Sequence, residues 1–223
     1  MPRSILLAIV AWSTLLPAVS PGQVLNAKLA YGQTAMRAVC VMPVEADWTK
    51  TVLMVRDPRP KEASEWSEQL RPVIREAILK TGAQDASEAI APENLSKDEN
   101  ARQVVFQLQR RFDAMTKVES WHAGGIKHGR FSLGDEVALL PCAAQADALL
   151  FVRGKVTIPP VQRFAQASLQ LTFVDARSGE VLAQDTISTL NDSFLKRPKE
   201  AYLDILVKRF HEMRLGSPAR KVK

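Results

Sequence analysis

Apolar residues along this chain fall into three patterns, and each predicts a different element. The first is an unbroken run. Ile5 to Trp12, then Leu15 and Leu16, follow a single charge at Arg3 and are closed by Pro17, Pro21 and Gly22. A spanning helix needs about twenty apolar residues, so this run is too short. A basic start, a short apolar stretch and small residues after it predict a secretory signal over residues 1–22. Both Ala18/Ser20 and Ser20/Gly22 fit as the small residues before a cleavage point.

The second pattern is an apolar stripe at intervals of three and four, the mark of a half-buried helix. Trp66, Leu70, Val73, Ile74, Ala77 and Ile78 place one helix over about 63–81, with Pro72 predicting a kink or a late start and Gly82 a stop. Ala101, Val104, Val105, Leu108, Phe112 and Met115 place a second, opened by the capping box Ser96-Lys97-Asp98-Glu99. Leu203, Leu206, Val207 and Phe210 place a third over about 198–213, and a shorter one is expected over about 134–145.

The third pattern is that of strands. Met36 to Val44 and Thr51 to Val55 are expected as strands joined by a polar turn, Glu45 to Lys50, with a short strand expected somewhere in 85–92. Ala148 to Ile158 opens with an apolar run suited to burial on both faces. Ser168 to Val174 alternates, with Gln170 and Thr172 outward, and Asp175 to Gly179 is a hairpin turn into Val181 to Thr189. Residues 23–35 carry no period and are expected as an exposed lead-in. His122 to Arg130, rich in glycine, is expected as a mobile loop. The sum is one α/β (α+β) domain over residues 36–213. It has two layers, a mixed or antiparallel sheet ending in a three-strand meander and covered by helices.

Charge alters this picture little. The chain of 223 residues has a net charge of +6. Arg3 and the four basic residues of 214–223 supply five of those charges, so the body stands near +1. A nucleic-acid partner needs a basic face on the fold itself, so none is expected. The stretch 214–223 is expected as a basic disordered tail able to touch anionic surfaces. In an oxidising compartment Cys40 and Cys142 can pair as a disulfide, or both can be buried thiols.

Motifs that carry chemistry are scarce. His122, His128 and His211 match no metal-ligand spacing. There is no phosphate loop, dinucleotide fingerprint or serine elbow. Metal, cofactor and catalytic residues are therefore all expected to be none. Glu65, Glu68 and Asp135 are the acids to weigh for glycan hydrolysis, although acids early in a helix also serve its dipole. Trp48 and Trp121, in a turn and beside a loop, are candidate interface anchors.

Three stretches together resemble a known group. They are Glu65-Trp66-Ser67-Glu68, Asp147 to Gly154, and Leu171 to Leu182. The group is one of bacterial envelope proteins, similar in fold to the periplasmic activators of penicillin-binding proteins and to the periplasmic domain of the curli secretion channel. The resemblance implies a periplasmic or secreted domain without catalytic residues that binds another envelope protein. Many members carry a lipid-attachment cysteine that this chain lacks. A cell-wall glycan-binding or glycan-hydrolysing protein is the alternative.

Overall fold

The structure is a computed model that describes residues 23–52, 55–118, 121–159, 165–190 and 193–217. The expected signal over 1–22 lies outside these residues. Among those described, no helix is long and apolar enough to cross a membrane.

The centre of the domain is the strand β6 (Ala148–Ile158). Its antiparallel neighbour is β7 (Gln166–Asp175), which pairs in turn with β8 (Val181–Thr189), so the three form the expected meander. Gly179, at φ 70° in the turn between β7 and β8, takes the left-handed conformation that glycine allows. The other edge of β6 is shared. β2 (Ala38–Val41) runs parallel to its first half and β3 (Glu45–Val52) to its second. β4 (Val55–Pro58) then pairs with β3, β5 (Gln84–Asp85) with β2, and β1 (Val24–Leu25) with β8. The result is a mixed sheet of eight strands in an α/β domain.

Alternation along β6 distributes the core. Leu150, Val152 and Val156 point to one face, with Leu169, Leu171 and Phe173 of β7. There α2 (Pro60–Lys80) and α7 (Pro198–Glu212) close over them with Trp66, Leu70, Ile74, Tyr202, Leu206 and Phe210. Trp66 sits so near Gly154 that any side chain there would overlap its ring. This helix pair and the sheet are the two continuous layers. A smaller cluster lies across the sheet, where Leu149, Phe151 and Val174 meet Val105, Leu108 and Phe112 of α4 (Glu99–Thr116). The disulfide Cys40–Cys142 is in this cluster, with Cα atoms 6.2 Å apart and both residues fully buried.

Several elements depart from expectation, each for a physical reason. Residues 23–35 are not an exposed lead-in. Asn26 caps the short helix α1 (Ala27–Ala30), accepting from Lys28 N–H at 2.8 Å, and its amide donates to Glu180 Oε1 at 2.7 Å. Leu29 is 1% exposed. Contacts 150 residues distant in sequence hold a segment too short to show a period. The tail begins later than expected, since Leu215 is buried and Gly216 N–H donates to Met36 O at 2.9 Å. Glu45 to Lys50 is strand, not turn. Its polar residues alternate with Ala46 and Trp48 because one face of β3 is open.

The cap of α4 is Asp98, which accepts from Ala101 N–H at 3.0 Å. Ser96 ends α3 (Pro92–Leu95) instead. α2 runs on through Pro72. The glycine-rich stretch holds a short helix, α5 (Ala123–Lys127), with Gly125 and Ile126 buried. Gly125 is there because the Phe131 ring lies where a Cβ would go, a need for close approach rather than for mobility. The expected helix over 134–145 reduces to a 3₁₀ turn, Asp135–Leu139, and the expected strand in 85–92 to the end of β5 and a second 3₁₀ turn, Ser87–Ile90. α6 (Ser193–Lys196) completes the chain order before α7.

Candidate functional site

The face of the sheet away from α2 and α7 is apolar only as far as Phe151. Beyond it every side chain of β6 on that face is polar: Arg153, Lys155, Thr157. The neighbours continue the change in register. Glu45 pairs with Arg153, Arg153 with Gln170 and Gln170 with Thr186 in one row across β3, β6, β7 and β8. Asp47, Lys155, Ser168 and Ser188 form the next row, and Thr49, Thr157 and Gln166 the third. Of the described helices α4 reaches the first row, at Arg153, while the second and third rows, on a face that usually meets a second layer, carry exposed or half-buried hydroxyl, amide and charged groups.

Arg153 marks the boundary. Its guanidinium stacks over the Phe112 ring at 4.6 Å, ion-pairs with Asp113, lies 3.6 Å from Glu45 and donates to Thr116 Oγ1 at 2.5 Å. One residue thus ties α4 to β3 and β6. Burial pushes the Glu45 carboxyl above its ordinary range, and the pull of Arg153 offsets this only in part. Burial likewise lowers the Arg153 pKa against the opposing pull of Glu45. A cleft of about 190 Å³ opens beside them, lined by Glu45, Asp47, Asp113, Lys117 and Arg153. Further along the rows, a shallow groove of about 450 Å³ runs over Lys155, Thr157, Ser168 and Ser188 to the exposed Leu190.

The residues singled out in the sequence are scattered. Trp48 packs edge-on against Trp66, ring centroids 6.2 Å apart, and lines a groove with Ala46, Pro58 and Ala63 on the opposite face. Trp121 lies between Phe112 and Phe131, at 6.4 and 4.8 Å. Both are half-buried against the core clusters. Glu65 and Glu68 are exposed on α2, and Asp135 is exposed across the sheet on the 3₁₀ turn. The sheet therefore separates Asp135 from Glu65 and Glu68, so Asp135 cannot flank one bond with either. His122 begins α5, His128 ends it and His211 is on α7. Among the described residues no cluster of three or more His, Cys, Asp or Glu side chains suits a metal ion.

The open rows were not picked out in the sequence, yet their signal is there. Arg153-Lys155-Thr157, Gln166-Ser168-Gln170 and Gln184-Thr186-Ser188 each place a polar residue at every second position. Only register shows that the three sets are adjacent.

No family model matches the chain, and no curated protein does. Solved structures similar to it include lipoprotein GNA1162 from Neisseria meningitidis, 14% identical over 79% of this chain and 94% of that one, with a TM-score of 0.36. They include also the LpoB C-terminal domain from Salmonella enterica, 12% identical over 74% and 96%, TM-score 0.33. A PelC dodecamer from Paraburkholderia phytofirmans is 12% identical over 84% and 91%, with a TM-score of 0.32.

Proposed function

We propose that this chain is an exported, non-catalytic accessory domain that binds another protein of the cell envelope on its open sheet face. The observation that carries the reading is the set of three polar rows across β3, β6, β7 and β8. A small-molecule site is usually concave, apolar and closed on most sides. This face is shallow and polar, the character of a surface that meets a partner and is also stable in water. Hydroxyl and amide groups at regular spacing suit hydrogen bonding to a protein surface, and Leu190 offers an apolar contact at the rim. The buried disulfide suits a protein that folds in an oxidising compartment, in keeping with the apolar leader over 1–22.

Site-specific photo-cross-linking in the native host tests the reading. A benzophenone side chain at Ser168 should form an adduct with one envelope protein, and the same group at Glu65, on the far side of the sheet, should not. Ser168→Arg should abolish co-purification of that protein while leaving the fold intact. Adducts from Glu65 alone would move the interface to the helical layer. A turnover of cell-wall glycan by the purified chain would end the reading.

A further inference from the structure

The last strand of the meander is also an edge of the sheet. β1 lies against the outer side of β8 at two positions only, Val24 opposite Gln184 and Leu25 opposite Ala183. Among the described residues no other strand pairs with that side of β8. The backbone polar groups of an antiparallel strand point by turns to one neighbour and the other. Asn26 N–H donates to Leu182 O at 2.7 Å, which fixes the parity: Gln184, Thr186 and Ser188 turn their N–H and C=O groups outward. Gln184 meets Val24, but Thr186 and Ser188 lie past the end of that ladder. Thr186 N–H donates to Asp185 Oδ1 at 2.8 Å in place of a strand, and Ser188 is exposed.

An open edge is a template for another strand, and edges are commonly guarded by lysine, proline or a bulge. Residues 184–189 read Gln-Asp-Thr-Ile-Ser-Thr and hold neither lysine nor proline. Their register with β7 is unbroken, since its one shift lies earlier, at Phe173/Val174. The charged group of the stretch, Asp185, is turned inward, 3.5 Å from Arg209 of α7. Side chains alternate across the edge. Thr186 and Ser188 end the polar rows on the open face, while Ile187 belongs to the core under the helices. A strand laid here must carry the same alternation in the same phase, or it sets apolar groups in the polar rows.

We propose that a second copy of this chain pairs here, β8 against β8, antiparallel about a two-fold axis at Ile187. β8 meets the requirement on itself. Thr186 faces Ser188 of the second copy, and Ile187 faces its counterpart on the axis. Cross-strand pairs of hydroxyl with hydroxyl and of β-branched with β-branched side chains are favourable. No charge meets its own counterpart, because Asp185 stands two positions from the axis. The outward groups match as well. Thr186 N–H exchanges Asp185 Oδ1 for Ser188 O of the second copy, Ser188 N–H of that copy donates to Thr186 O, and the exchange repeats across the axis. Asp185 keeps Arg209. Such a contact uses one surface twice and closes at two copies. The two sheets then run on as one, and the polar rows that end at Thr186 and Ser188 continue into the second copy. The pairing does not rest on the envelope-partner reading, but it doubles the face on which that reading relies. One strand edge is a small contact, so association in the micromolar range or weaker is expected.

Sedimentation velocity of the exported protein, with the expected signal removed, tests the pairing over about 1 μM to about 1 mM. A reversible dimer should form within that range. Ser188→Pro removes an N–H that makes no bond to β7, so circular dichroism should show the fold intact while the dimer weakens. Thr186→Lys with Ser188→Lys sets like charges opposite each other at both polar pairs and should raise Kd on the order of tenfold. Thr186→Lys with Ser188→Glu sets opposite charges there and should bring Kd back to about that of the parent. A chain that stays monomeric throughout would overturn the proposal. So would a dimer indifferent to the paired lysines, or equal losses in the two double variants, since either places the contact elsewhere. A benzophenone at Ser188 that joins another protein and never a second copy would give the edge to that protein and equally overturn it. A monomer that still forms the Ser168 adduct would remove the pairing alone and leave the envelope-partner reading standing.

Discussion

Cutting the Cys40–Cys142 bridge is the perturbation whose size follows most directly from the architecture. The bridge joins β2 to the turn before β6 and closes a loop of 102 residues. A cross-link acts mainly by limiting the unfolded chain, and the loop-entropy relation gives about 4.7 kcal/mol at 25 °C for a loop of about a hundred residues. A domain of this size has a total stability on the order of 5–15 kcal/mol, so the bridge accounts for a large share. Cys40→Ala with Cys142→Ala is the suitable variant, since alanine leaves no polar group in a cluster where both positions are fully buried. Urea unfolding followed by circular dichroism should show a stability lower by several kcal/mol, and Tm should fall on the order of 10 °C. The m-value should rise, because the unbridged chain exposes more surface on unfolding. Burial adds an independent signature. A thiol reductant should leave the bridge intact in buffer and cleave it only as denaturant opens the domain. A loss under about 1 kcal/mol, or rapid reduction of the native protein, would refute the reasoning.

Three further outcomes are expected. Gly154→Val should overlap the Trp66 ring and cost about 1–3 kcal/mol, read as a lower Tm; Trp66→Leu in the same chain should recover part of it, and no recovery would place the strain elsewhere. Asp98→Ala should remove the cap of α4 and lower stability by about 1 kcal/mol in urea, whereas Ser96→Ala should not. Asp185, 2% exposed on β8 beneath α7, has its carboxyl pushed up from the ordinary 3.8 by burial, with Arg209 at 3.5 Å opposing. The folded state therefore holds its proton more tightly than the unfolded state, so the stability this group contributes is present below pH 3.8 and is lost as pH rises through the raised value. Asp185→Asn should accordingly gain stability relative to the parent as pH rises over that window, and a difference that shrinks instead would show that the Arg209 pair outweighs burial.

Much of the fold was legible in order of residues because its strongest elements are long and regular. β6 and β8 match their expected bounds and α7 ends within a residue of them, β7 extends a residue or two beyond its own, and the β7–β8 turn follows from Asp175 and Gly179. Local periodicity carries that information, since each side chain reports the face it occupies. The candidate site was legible only in pieces. Gln170 read as outward and lies in the first row, Thr172 read as outward but is fully buried beside Phe151, and Glu45, Asp47 and Thr49 read as a turn. Polar alternation on an open strand and a polar turn look alike until the partner strand is known.

What the sequence by itself determined is the set of periods, the helix stripes and hairpin, the apolar leader and the near-neutral body. What only the tertiary structure decided is adjacency. Register aligned the polar positions of β3, β6, β7 and β8 into rows. The path of the chain brought Asn26 to Glu180 and Gly216 to Met36. It also set Glu65 and Asp135 on opposite sides of the sheet. Local spacing fixes which way a side chain faces, but contacts between distant segments depend on how the whole chain closes its core, and no window of sequence contains that.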